Sequence, residues 1–130
     1  MNPFPPAAEL QFLQGNEVSN ITLQPYSVDI NFVEGPLLVI ELGLEYVDVE
    51  GLIHAHDPQH RLGPGPITFH ALIGDQVTQV ETGGYRMTLT FASGRKLIVL
   101  SDDRPYEAGH IHCAAYDERG VLNGPGIIVF

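Results

Sequence analysis

Positive charge is what this chain has least of. It carries six Lys and Arg against sixteen Asp and Glu, a formal net charge of −10, and none of the six basic residues lies in residues 1–60. A polyanion releases no counterions on meeting such a surface, so nucleic acid and anionic membranes are not expected partners. There is no Trp, and Cys113 is the single cysteine. A lone thiol excludes an internal disulfide and fits a reducing compartment, so the cytoplasm is the expected location. No apolar run approaches the ~20 residues that cross a bilayer. Residues 1–14 have neither a basic nor an apolar leader segment, and no secretory signal is expected.

What is present is a globular composition. Hydrophobic residues make up 44% of the 130 residues and charged residues 17%. That is the size and make-up of a single domain, 1–130, with a core of its own. Within it the sequence repeats. Leu13, Gly15, Val18, Tyr26, Phe32, Gly35 and Leu38 recur 59 positions later as Leu72, Gly74, Val77, Tyr85, Phe91, Gly94 and Leu97. The intervening hydrophobic pattern stays in register, which points to internal duplication with units of about 9–70 and 71–130. The similarity extends through Ile53-His54-Ala55 against Ile111-His112-Cys113, which would give His54 and His112 matching places, and through Gly63-Pro64-Gly65 against Gly124-Pro125-Gly126.

The period within each unit is two. Tyr26, Val28, Ile30 and Phe32 share a face, as do Tyr85, Met87, Leu89 and Phe91, with polar residues between them. Such strands bury one face and wet the other. Short turns flank them, predicting a three-stranded antiparallel meander per unit over 18–42 and 77–100. Leu37–Ile40 and Leu97–Leu100 are apolar on both faces, so the meanders should cover one another. Further strands are expected at 50–56, 66–70, 108–116 and 126–130, and about a turn and a half of helix at 7–13 and at 69–72. The fold class is therefore mainly β: duplicated antiparallel meanders packed as a sandwich or a partly open barrel, with at most one or two short helices.

Residues 43–66 and 101–109 read as linkers, and loops on a rigid scaffold are where function tends to sit. Two sets of residues are candidates there. Nine acids crowd residues 1–60, and Glu45, Asp48, Glu50 and Asp57 would form an acidic surface for a basic protein partner. His54-Ala-His56 puts two imidazoles on one face of a strand, which with His112 (or His110) would hold Zn or another divalent ion. A cupin-like site would add a Glu just after the pair, and Asp57 and Gln59 stand there instead. Structural roles compete with both ideas. Acidic surfaces serve solubility, and histidines commonly sit at loop edges.

Signatures of nucleophilic catalysis are missing. No Gly-x-Ser-x-Gly occurs, Cys113 lies in an apolar strand where thiols are inert, and prolines in the Gly-Pro-Gly strings remove the N–H groups a phosphate cradle needs. The unit Leu-x-Gly-x-x-Val, followed by an alternating strand ending Phe-x-x-Gly-x-x-Leu, resembles a pattern in small bacterial β-rich proteins, some of them immunity-type proteins that neutralise toxins. The resemblance spans 13–41 and 72–100 and implies a non-enzymatic protein that binds a basic partner through its acidic first unit. A small metal protein or metal-dependent enzyme, and a structural homo-oligomer such as a homodimer paired through free strand edges, are the alternatives.

Overall fold

A computed structural model describes residues 3–130 apart from 62, 64, 105, 114, 117–121 and 124–125, with only the backbone of 115, 116, 122 and 123. The first half runs through a 3-10 helix, Ala7–Leu13, then β1 (Val18–Leu23), β2 (Val28–Phe32), β3 (Leu37–Ile40), β4 (Gly43–Val47) and β5 (Ile53–His56). The second half repeats the order with a 3-10 helix, Phe69–Leu72, then β6 (Val77–Gly83), β7 (Arg86–Phe91), β8 (Lys96–Leu100) and β9 (Gly109–His112). β10 (Ala115–Tyr116), β11 (Leu122–Asn123) and β12 (Ile127–Val129) complete it.

The strands form two five-stranded antiparallel sheets and one small ribbon of β10 and β11. The first sheet has the order β1-β2-β3-β9-β12 and the second β5-β4-β8-β7-β6. Neither closes into a barrel, and one apolar core lies between them as in a sandwich. Each half builds its own meander and then hands its last strands to the other half's sheet. β4 and β5 extend the β6–β8 meander, and β9 and β12 extend the β1–β3 meander.

The two halves share their hydrogen-bond pattern. Val18 faces Phe32 and Val77 faces Phe91, each with a register shift just after it. Gly15 N donates to Val77 O at 2.7 Å and Gly74 N donates to Val18 O at 2.8 Å. An isolated bridge between Glu17 and Gln76 joins equivalent residues of the two halves, so a pseudo-two-fold axis passes between them. Gly15 and Gly74 adopt φ of +89° and +86°, a region closed to most side chains, and this ends each short helix at the same place. Leu10, Leu13, Phe69 and Leu72 on those helices are buried against the sheets.

Alternation placed the core residues correctly, with exceptions at strand ends. Val28, Ile30, Phe32, Met87, Leu89 and Phe91 are all buried. Tyr26 and Tyr85, expected on the same inward rows, are 69% and 40% exposed. Both precede the first residue of their strand, where the turn and not the pleat sets side-chain direction. The expected linker 43–66 contains β4, which was not expected, while β5 lies within the expected strand 50–56, and residues 66–68 form no strand. The expected strand 108–116 is divided into β9 and β10, with residue 114 outside the described residues, as are Pro64, Gly124 and Pro125 of the Gly-Pro-Gly strings.

Candidate functional site

The crossings between sheets carry a densely hydrogen-bonded polar surface. After β3 the chain turns from the first sheet into the second through Glu41 and Leu42. Both backbone N–H groups there donate to Ala108 O, at 2.8 and 3.0 Å. The equivalent crossing from β8 to β9 takes the longer segment 101–108. A tight turn after β5 supplies a third wall. The Asp57 carboxylate accepts from the N–H of Gln59 at 2.9 Å and of Arg61 at 3.1 Å, which closes that turn. Gln59 then donates to Tyr26 O and Glu41 O, both at 3.0 Å, and Arg61 Nη2 to Leu42 O at 3.1 Å. These bonds pin the turn to the crossing. Between the three segments lies a cleft of about 390 Å³, whose charged lining is Glu41, Arg61, Asp102, Arg104 and Glu107.

Glu41 and Glu107, which line this cleft, also meet His110 of β9, with one ligand atom of each within 4.8 Å of the others. Among the described residues this is the one such gathering of three His, Cys, Asp or Glu side chains. His110 Nδ1 stands 3.8 Å from Glu41 Oε1. Burial pushes the Glu41 carboxyl above its ordinary range, and the charges of Glu107 and Asp29 push the same way, against an opposing pull from His110. A carboxylate held under those conditions gains from a cation placed beside it.

The internal symmetry shows that the fold does not require these groups. The residue equivalent to Glu41, which follows β3, is Leu100, the last residue of β8. Ladder registers make His110, which faces Val39, the equivalent of Glu45, which faces Ile98. Glu45 is taken up by Arg86 at 2.9 Å. The same scaffold position thus holds a leucine in one half and a half-buried carboxylate in the other.

The residues expected from sequence are placed as follows. Three of the four acids have partners within the molecule: Glu45 has Arg86, Asp57 has Arg61 at 2.9 Å, and Asp48 has His54 at 2.9 Å. The hydrogen bond from Arg61 is the main cause of Asp57 falling to about 2. That from His54 is the main one lowering Asp48. Asp48 Oδ1 also accepts from the N–H of Glu50 and Leu52, while the Glu50 side chain is exposed. Arg61 and Arg86, from the basic half of the sequence, thus offset charge in the acidic half.

His54 and His56 do share a face of β5, opposite Tyr46 and Leu44 of β4. Their surroundings differ. His54 bonds Asp48, whereas His56 packs on Phe69 with ring centroids 5.1 Å apart and on His60 at 6.0 Å. Burial lowers the His56 pKa, helped by the charge of His60. His112 lies in the other sheet, alternating with buried Ile111, its ring 4.7 Å from His110. The structure therefore does not join His112 to His54 and His56. The expected equivalence of His54 and His112 is also corrected. By ladder register His112 matches Val47, and β5 matches β12, so that His56 matches Phe130. Single-residue likeness misled because the crossing into β9 is longer than the crossing into β4. Glu107 lay in a presumed linker and was not among the candidate site residues. The one sequence signal for this site was the mismatch of Glu41 with Leu100 inside an otherwise apolar match.

No protein-family model, no curated protein and no solved structure matches this chain.

Proposed function

We propose that this is a divalent-cation-binding protein whose ion is held by Glu41, Glu107 and His110 at the crossing between the two sheets. The observation that carries the reading is the convergence of these three side chains, two of which line the cleft, with the Glu41 carboxyl disfavoured as an anion by burial and by a neighbouring carboxylate. The 3.8 Å between His110 Nδ1 and Glu41 Oε1 suits two ligands each ~2.1 Å from a shared ion. Two carboxylates and one imidazole favour a borderline ion such as Mn²⁺ or Zn²⁺ over Ca²⁺, which prefers oxygen alone. Three protein ligands leave coordination places open toward the cleft.

Calorimetric titration of Mn²⁺ and Zn²⁺ into chelator-treated protein tests this. One ion per chain is expected, weakened at least tenfold by Glu41→Gln or His110→Ala and unaffected by His112→Ala. Loss of binding through His54→Ala and His56→Ala, with Glu41→Gln unchanged, would move the site to β5. Binding should also weaken in acid, because the ligands must release their protons.

A further inference from the structure

The cleft that holds Glu41 and Glu107 also exposes two guanidinium groups, and their chemistry names a ligand. Arg61 meets Asp57 through Nε at 2.9 Å and Nη2 at 3.1 Å. Arg104 meets Asp102 through Nε. Among the described residues, Arg61 Nη1 and both Nη atoms of Arg104 make no hydrogen bond. Asp57 and Asp102 therefore offset the charge of the two arginines without using up their donors.

Among the described residues, the carboxylates of the cleft left without an arginine are Glu41 and Glu107. With those two carboxylates uncompensated, an anion is repelled from the donors of Arg61 and Arg104. A divalent ion on Glu41, Glu107 and His110 cancels both charges and adds open coordination places. The remaining guanidinium N–H groups, in a planar fork, suit the paired oxygens of a carboxylate or phosphate. The volume of about 390 Å³ suits a small molecule.

We infer that the cleft binds a small oxyanion, a carboxylate or phosphate, which bridges the divalent ion and the guanidinium groups of Arg61 and Arg104. This rests on the cation reading above. Binding of the two is coupled: each raises the affinity of the other by the same factor.

Malonate and inorganic phosphate, titrated calorimetrically into the full chain with and without saturating Mn²⁺, test the inference and distinguish the two oxyanions. At least one should bind the ion-loaded chain, at least tenfold more tightly than the ion-free chain. Arg104→Gln should weaken that oxyanion about tenfold without weakening Mn²⁺, whose affinity can only gain from the loss of a neighbouring positive charge. An ion-loaded chain that takes up neither probe overturns the inference and leaves the cation reading standing. Equal oxyanion affinity in Arg104→Gln and the parent does the same. Failure to bind any divalent ion overturns both.

Discussion

Gly109 is the position where one added methyl group should do most damage. It begins β9 beside Ile40 of β3 and close to Phe130 at the end of the chain. A Cβ there would stand 2.2 Å from Val39 O and 2.5 Å from the nearest Phe130 ring atom. The carbonyl belongs to the β3–β9 ladder and cannot retreat without opening it. The ring is fully buried and stacks on Phe4 with centroids 4.4 Å apart. Symmetry explains the crowding. In the second sheet the equivalent pair is Leu44 and His56, a large residue on β4 facing a smaller one on β5. In the first sheet that bulk has moved across the ladder, to Phe130 opposite a glycine. Overpacking alone costs ~1–3 kcal/mol, and expelling much of a buried Phe approaches the ~3–5 kcal/mol of its deletion. Gly109→Ala should therefore destabilise by about 3–4 kcal/mol. With a urea dependence of about 2 kcal/mol/M, the midpoint falls by roughly 2 M. Gly43→Ala is the control, since its Cβ would meet Leu100 Cδ1 at 3.5 Å and His56 O at 3.8 Å, ordinary contacts. Urea melts followed by circular dichroism decide the matter. If the two variants unfold within about 0.5 M of each other, the account of Phe130 is wrong.

Three further outcomes follow from burial and charge. Phe91→Ala should cost ~3–5 kcal/mol, whereas Tyr26→Ala, at a residue 69% exposed, should cost less than about 1 kcal/mol. Equal losses in urea melts would contradict the assigned strand starts. Glu41 has a folded pKa raised above the ordinary 4.5, so its ionisation opposes folding. The ion-free Glu41→Gln variant should match the parent near pH 4, gain on it as pH rises through and above 4.5, and hold that gain at neutrality. A parent that is the more stable at pH 7 without metal would refute the cost assigned to this carboxylate. If a basic protein partner uses the acidic first half, neutralising Glu45, Asp48, Glu50 and Asp57 together should slow association and flatten its dependence on salt. Neutralising Asp102, Asp103, Glu107 and Asp117, the last outside the described residues, should do much less, and equal effects in stopped-flow association would show that the asymmetry serves solubility.

The meanders were legible because a half-buried strand writes its burial into every second residue, as Val28-Asp29-Ile30-Asn31-Phe32 does. β4 was not, although Leu44 and Tyr46 alternate inward. Its Glu45, with Asp48 and Glu50 close behind, reads as loop until Arg86 arrives from another strand to pair with Glu45. The turn tyrosines failed for the opposite reason: they match the inward rows in sequence but precede the pleat. The acidic set was read as unopposed because Arg61 and Arg86 are distant in sequence from the carboxylates they meet or, for Arg61, fall just beyond the acidic segment. Glu107 and His110 could be brought to Glu41 only by knowing that β9 pairs with β3. That pairing depends on which half receives the exchanged strands, and no local pattern encodes it.

Strand exchange itself accounts for where the site lies. Two self-contained meanders would each end in their own sheet, and the crossing after β3 would meet only residues of its own half. Because β9 docks on β3, the segment before it runs over the crossing at Glu41, with Ala108 O accepting both crossing N–H groups. One half supplies Glu41 and the Asp57–Arg61 turn, and the other supplies Asp102, Arg104, Glu107 and His110. At the equivalent corner of the second sheet, half-buried Leu100 and the Arg86–Glu45 pair occupy the matching places, and the one carboxylate there is already paired. Like strand arrangements thus carry different side chains at their two corners. The long 101–108 crossing, matched in the first half by just Glu41 and Leu42, is the change in sequence that separates them.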